Sequence, residues 1–160
     1  MSNFLLLKNF MDIADLEKMK NDIEIDFIKN IHNDDLKSGL QTKSNLHIIH
    51  NEIHWNAYYN KLNNIMLKMS NKKITKSWSL KIVKNEKNFF HKHKEDSFTS
   101  VFFLQNDDYF LGTHLKSEQE FIVPGYENSL LIFHGNILHD AVFPSYELKK
   151  PRYTIVTDYE

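Results

Sequence analysis

The stretch SLLIFHGNILHDAVFP, at residues 129–144, contains two short apolar runs, Ser129 to Phe133 and Ile137 to Phe143. Runs of this length, rich in β-branched and aromatic residues, are typical of β-strands. The turn formers Pro124-Gly125 precede the stretch and Pro144-Ser145 close it. The stretch therefore predicts two strands of a sheet.

Outward from this stretch, the second half of the chain follows a period of two. From residue 77, apolar Trp78, Leu80 and Ile82 alternate with polar neighbours. Further strands are predicted at Phe98–Leu104, Tyr109–Leu111, Glu120–Val123 and Tyr153–Thr157, with a turn at 106–108. Short strands at this spacing favour an antiparallel sandwich or jelly roll over a parallel sheet.

The first half is predicted to be mainly helical. Residues 3–8 predict a short strand, and a helix is expected from Ile13, with Leu16, Met19 and Ile23 on one face. A second amphipathic helix is predicted from Ile49 to Met69, with Ile53, Ala57, Leu62, Ile65, Met66 and Met69 as its apolar positions, after a loop at 32–46. We expect one α+β domain over residues 1–160, in which helices of 1–75 brace one face of a β core in 76–160.

Composition restricts the class of protein. The chain has 160 residues, a net charge of −1 and no cysteine, so a basic field for nucleic acid and thiolate chemistry are both excluded. The apolar patch at Phe4–Leu7 is too short for a signal peptide or a membrane span. The expected compartment is the cytoplasm, that of a host cell if the gene is viral. Any metal site must use His, Asp or Glu, which favours catalytic iron, zinc or manganese.

The segment HKHKED, at residues 91–96, is a candidate metal strand. On an extended strand, His91, His93 and Glu95 project to one face and can share one metal. The facial arrangement of two histidines and one carboxylate favours Glu95 as a ligand, as an alternative to His91. A further ligand must come from another strand, and His139 is the candidate.

Arg152 is the only arginine among twenty basic residues. It follows His139 by thirteen residues and shares a strand face with Thr154. A guanidinium and a hydroxyl on one face are suited to binding a carboxylate. Lysine cannot replace the arginine, because its ammonium group cannot make the planar, bidentate pair of hydrogen bonds.

The order of these residues resembles the 2-oxoglutarate/Fe(II)-dependent dioxygenases. The shared pattern is H-x-H or H-x-acid on a strand, a distal His, and then Arg-x-Ser/Thr. Residues 78–104 and 125–154, and the Gly-Leu-Gln-Thr stretch at 39–42, are similar to an oxygenase branch common in phage and marine bacterial genomes.

This resemblance implies a double-stranded β-helix (jelly-roll) core that binds Fe(II) at His91, His93 and His139, with Glu95 as the alternative to His91. The branch pattern aligns with His91 and His93. The co-substrate 2-oxoglutarate would be held by Arg152 and Thr154. The implied reaction is hydroxylation of a substrate with release of succinate and CO₂.

The substrate is not indicated by the sequence and is a protein, a nucleic acid or a metabolite. From Lys68 to Lys94 the chain has nine lysines and one acid, Glu86. This stretch is either a solvated surface or a positive surface that steers an anion towards the site.

Two other classes of protein share parts of the pattern. A cupin-like metal-dependent barrel enzyme would not need Arg152, and a non-catalytic jelly-roll module that binds a ligand or a viral partner would need neither metal nor arginine. No membrane partner is expected, and the oligomeric state is not indicated.

Overall fold

The computed structural model describes residues 4–29, 40–85 and 89–160. In chain order these contain the elements β1 (Phe4–Leu7), α1 (Ile13–Lys29), β2 (Leu40–Gln41), α2 (Leu46–Ile49), α3 (Ile53–Met69), β3 (Ile74–Ile82), β4 (Phe98–Gln105), β5 (Thr113–Lys116), β6 (Glu120–Val123), β7 (Ser129–His134), β8 (Leu138–Ala141) and β9 (Arg152–Tyr159). Helices precede most of the β structure, as the sequence predicts. Within the described ranges, no helix combines the length and the apolar character that crossing a membrane requires.

The strands form two antiparallel sheets. The large sheet has the order β1-β7-β4-β9-β3-β2, and the small sheet has the order β6-β5-β8. Neighbours along the large sheet are far apart in sequence, since β4 pairs with both β7 and β9. The predicted antiparallel arrangement is confirmed.

Alternation along the central strands divides the core in two. On β4, Phe102 and Leu104 pack in the cluster that contains the helices, whereas Val101 and Phe103 pack in the cluster shared with the small sheet. Side chains on a strand alternate between its two faces, and both faces of β4 are buried. Its sequence is therefore a nearly continuous hydrophobic run.

The helical layer covers one face of the large sheet. On α1, Leu16, Met19 and Ile23 are buried, as predicted. On α3, the buried residues are Trp55, Tyr58, Tyr59, Leu62 and Met66.

The prediction of one helix from Ile49 to Met69 is wrong in two respects. The chain leaves helical geometry at His50, whose backbone is extended, so α2 and α3 are separate elements. The buried face of α3 is also shifted, because Ile53 is 89% exposed while Trp55 is completely buried. The wide aromatic rings reach the core, and the isoleucine at the start of the helix does not.

The predicted strand at Tyr109–Leu111 is also wrong. Asp108 holds these residues in a turn, since its Oδ1 accepts from Phe110 N at 3.0 Å and its backbone oxygen accepts from Leu111 N at 3.0 Å. The strand lies further on, at β5. Much of the predicted loop at 32–46 lies outside the described residues, as does Gly39 of the stretch at 39–42. Residues 40 and 41 of both stretches form β2.

Candidate metal centre

Three histidines from two separate segments meet at one point. Each of His91, His93 and His139 offers one ring nitrogen, and these nitrogens all lie within 4.8 Å of one another. His91 and His139 are joined by an isolated antiparallel bridge, in which His91 N donates to His139 O at 3.1 Å and His139 N donates to His91 O at 2.9 Å. The bridge attaches the segment after residue 90 to strand β8.

The predicted extended strand through residues 91–96 is wrong beyond that bridge. Instead, the turn at Gly135 anchors the segment: His93 N donates to Gly135 O at 2.6 Å, and Gly135 N donates to Ser97 O at 2.9 Å. Glu95 lies in a turn and is exposed, and it is not part of the group of three histidines. Of the two alternative ligands predicted from the sequence, His91 lies with His93 and His139, and Glu95 does not.

The hydrogen bonds of the three rings leave the same nitrogen of each ring available. The Nδ1 atoms of His91, His93 and His139 face Phe89 O at 3.1 Å, Asp158 Oδ2 at 2.7 Å and Ile137 O at 2.8 Å, respectively. Carbonyl and carboxylate oxygens only accept hydrogen bonds, so each Nδ1 carries a proton, and in a neutral ring Nε2 is the nitrogen that can bind a metal. Three unprotonated imidazole nitrogens are a donor set for Fe(II), Zn(II) or another borderline divalent metal.

His139 is held in the form that binds metal. Its side chain is 5% exposed, and burial, reinforced by neighbouring His91, lowers its pKa to about 3. The imidazole is therefore neutral over the physiological pH range, as ligation requires.

The three histidines open onto a cavity of about 640 Å³. Its walls include Trp78 and Leu80 from β3, and Gln41 from β2, the described part of the stretch at 39–42 that resembles the oxygenase branch. Arg152 and Thr154, the predicted carboxylate anchor, line the same cavity from β9.

Arg152 is a buried cation with an unused hydrogen-bond donor. It is 2% exposed, its Nη1 donates to Val142 O at 2.8 Å, and its Nε has no hydrogen-bond acceptor among the described residues. Burial lowers the pKa of Arg152 to about 10, against the opposing charge of Asp140, so the guanidinium stays charged at neutral pH. A buried charge with a donor left over is suited to an anionic ligand.

Asp158 belongs to the site and was missed by the sequence analysis. Its signal is period two, because Asp158 follows Arg152, Thr154 and Val156 on the same face of β9. All four residues line the cavity.

Three other histidines lie away from this group. His134 is exposed and its ring contacts Phe98 at a centroid distance of 4.4 Å. His50 and His54, which are four residues apart, pair with Asp26 at 2.5 Å and Asp22 at 2.6 Å, respectively. Ligand atoms of His50, Asp22 and Glu52 also lie within 4.8 Å of one another.

Part of the lysine-rich stretch reaches the cavity, whose lining includes Lys76, Lys92 and Lys94. Lys94 is paired with Glu160, and Lys72 is paired with Asp96 at 2.6 Å. Glu86, the single acid of the stretch, is outside the described residues. The predicted positive surface is therefore partly neutralised.

No family model matches the sequence, and no curated protein matches it. Solved structures do match the fold. HygX from Streptomyces hygroscopicus, with nickel, 2-oxoglutarate and hygromycin B bound, superposes with a TM-score of 0.76 at 8% identity, over 99% of this chain and 82% of HygX.

The α-ketoglutarate-dependent epimerase SnoN from nogalamycin biosynthesis superposes with a TM-score of 0.77 at 10% identity, over 99% of this chain and 77% of SnoN. A prolyl hydroxylase from Trichoplax adhaerens, solved with a peptide of hypoxia inducible factor, gives a TM-score of 0.71 at 15% identity, over 98% of this chain and 83% of the hydroxylase. The chain therefore has the fold of 2-oxoglutarate-dependent non-haem iron oxygenases.

Proposed function

We propose that this protein is a 2-oxoglutarate- and Fe(II)-dependent dioxygenase with a double-stranded β-helix core. The observation that carries the proposal is the pairing, in one cavity, of three converging imidazoles and a buried arginine whose Nε has no acceptor among the described residues. The first group is suited to a divalent metal and the second to a carboxylate. A ligand that both chelates a metal and carries a distal carboxylate satisfies both requirements.

The three histidines would hold the iron. Their Nδ1 hydrogen bonds fix the ring orientations before metal binds, which reduces the ordering that binding requires. Fe(II) with bound 2-oxoglutarate supplies the oxidative chemistry of this class, with succinate and CO₂ as products of the co-substrate.

Arg152 would bind the distal carboxylate of 2-oxoglutarate, with the Thr154 hydroxyl as a second donor. The contact of Arg152 Nη1 with Val142 O and the position of its Cζ 5.4 Å from the Phe103 ring centroid hold the guanidinium in place. Phe103 and Val101 keep the surrounding wall apolar, which strengthens the ion pair by excluding water.

We further propose hydroxylation as the reaction on the substrate. SnoN and SnoK, both from nogalamycin biosynthesis, are an epimerase and a carbocyclase on the same fold, so fold alone does not select the outcome. The substrate would enter where Phe89 and Lys92 line the cavity, since both are exposed. Membership of the phage-related branch and a cytoplasmic location are proposals that rest on the sequence.

The test is co-substrate turnover. Protein purified without oxygen is loaded with Fe(II), mixed with 2-oxoglutarate and air, and succinate is followed by NMR. We expect slow succinate formation without added substrate, and none in His139→Ala. A cupin-like enzyme or a binding module would form no succinate, and that result from wild-type protein would refute the proposal.

A further inference from the structure

We infer that Asp158 is a positioning residue of the metal site. Its carboxylate orients the His93 ring through Nδ1 and supplies a negative charge, which three imidazoles do not have. The inference rests on the proposed function, because it concerns the same three histidines.

Asp158 is fixed at both oxygens. Its Oδ2 accepts from His93 Nδ1 at 2.7 Å, and its Oδ1 accepts from Thr99 Oγ1 at 2.9 Å. Asp158 is 6% exposed and Thr99 is completely buried. Trp78 lies parallel to the His93 ring, at a centroid distance of 6.1 Å and an angle of 7°. The ring is therefore constrained both at its edge and on its face.

Asp158 differs from the acceptors of the other two rings. His91 and His139 donate to backbone carbonyls, which carry no net charge. A carboxylate acceptor makes its imidazole a stronger donor to a metal, because the shared proton is drawn towards the oxygen. His93 is therefore the ligand with the most anionic character.

The charge of Asp158 also lacks a permanent partner. No lysine or arginine nitrogen of the described residues lies within 4.0 Å of its carboxylate, although Lys76 is its register partner on β3. A buried carboxylate without a cation is unfavourable. A divalent metal held by His93 would compensate this charge through the ring.

Glu95 does not supply this charge. It lies exposed in a turn and is not part of the group of three histidines. The carboxylate in contact with the group is that of Asp158, behind His93.

The test compares Asp158→Asn with Glu160→Gln. Asn keeps the size of the side chain and an acceptor for His93, but removes the charge. Glu160 lines the same cavity two residues further along, and its carboxylate pairs with Lys94 instead of a ligand histidine. Both variants therefore remove one negative charge from the same wall.

The readouts are Mn(II) affinity by EPR of the free ion, the visible absorption of Co(II)-loaded protein, and the Tm of the metal-free protein. We expect Asp158→Asn to weaken Mn(II) binding by about 10- to 100-fold and to shift the Co(II) bands. The metal-free Tm should not fall, because Asn removes a buried charge that lacks a cation, and Glu160→Gln should match wild type in affinity and spectrum.

The inference is overturned if Asp158→Asn binds Mn(II) as wild type does, or if Glu160→Gln weakens binding equally, which would indicate a general field effect. A loss of affinity with unchanged Co(II) bands would likewise refute the link through His93. If wild-type protein binds no divalent metal, the proposed function fails together with the inference. If wild type binds metal and Asp158→Asn is unaffected, the inference alone fails.

Discussion

Arg152 carries the prediction that is most specific at the scale of single residues. Arg152→Lys should weaken 2-oxoglutarate binding at least about tenfold, because an ammonium keeps the charge but not the two-donor fork. Arg152→Ala should weaken binding further, since a buried carboxylate is then left unpaired. Calorimetry with Mn(II) in place of iron, under nitrogen, measures both.

Metal affinity should survive both changes, because Arg152 is not among the residues grouped around the metal. Lys150→Ala, which removes a nearby exposed cation, is the matched control and should bind 2-oxoglutarate as wild type does. Equal binding by wild type and Arg152→Lys would contradict the assignment.

His139 and His134 form a matched pair on either side of one turn. His139→Ala should reduce Mn(II) affinity by more than about 100-fold, beyond the usual effect of changing a residue behind a ligand. His134→Ala should bind Mn(II) normally, because its ring contacts Phe98 at the surface. Metal content after dialysis distinguishes the two, and the reverse result would mean that the wrong histidine has been assigned.

At the scale of elements, the turn between β7 and β8 controls the metal segment through Gly135. A Cβ at Gly135 would lie 2.0 Å from Ser97 Oγ, which itself donates to Lys94 O at 2.7 Å. Gly135→Ala should therefore displace residues 93–97, destabilise the protein by about 1–3 kcal/mol and weaken metal binding. Urea unfolding and Mn(II) titration measure the two effects.

Ser97→Ala tests the physical reason. If the steric clash with the hydroxyl is the cause, adding Ser97→Ala to Gly135→Ala should restore part of the lost stability. Effects that simply add would show that the clash is not responsible.

The contact between α1 and the break before α3 predicts a pH dependence. Burial alone would lower the pKa of His50, but the hydrogen bond and charge of Asp26, with Glu52 and Asp22, raise it overall. A histidine with a raised folded pKa contributes stability that is full below its unfolded pKa, about 6.5, and is lost as pH rises through the folded pKa.

Asp26→Asn should remove this contribution. The wild type should exceed the variant by about 1.5–3 kcal/mol in mildly acidic solution, and the difference should shrink in alkaline solution. Urea unfolding of metal-free protein across this range measures it. Glu52→Gln, whose carboxylate is half-exposed and lies 3.5 Å from His50 Nδ1, should have a smaller effect. A difference that is independent of pH would contradict the pairing.

For the whole molecule, metal binding should raise thermal stability, because the site exists only when β8, β9 and the segment after residue 90 are assembled. At free Mn(II) about 100-fold above Kd, the gain is about 2.7 kcal/mol, or about 5–10 °C in Tm for a chain of this size. Differential scanning fluorimetry measures it. His139→Ala should show no rise, and an equal rise in that variant would place the metal elsewhere.

The central strands were predictable because their apolar runs are long and their periodicity is local. The error at Tyr109–Leu111 arose because aromatic residues suggested a strand, whereas Asp108 holds them in a turn. The break at His50 was not visible either, because it is stabilised by contacts with α1 more than twenty residues away. Patterns within one element cannot report contacts that another element supplies.

The sequence is enough to place Arg152 and Thr154 on one face of a strand, because alternation is a property of the backbone. It also determined that any metal site would be built from imidazoles and carboxylates, since no cysteine is present. The folded chain was needed to show that His91, and not Glu95, lies with His93 and His139, and that Asp158 stands behind His93. These positions depend on the Gly135 turn and on pairing between distant strands. Both bring together residues that are far apart in the sequence, so no local pattern predicts their contact.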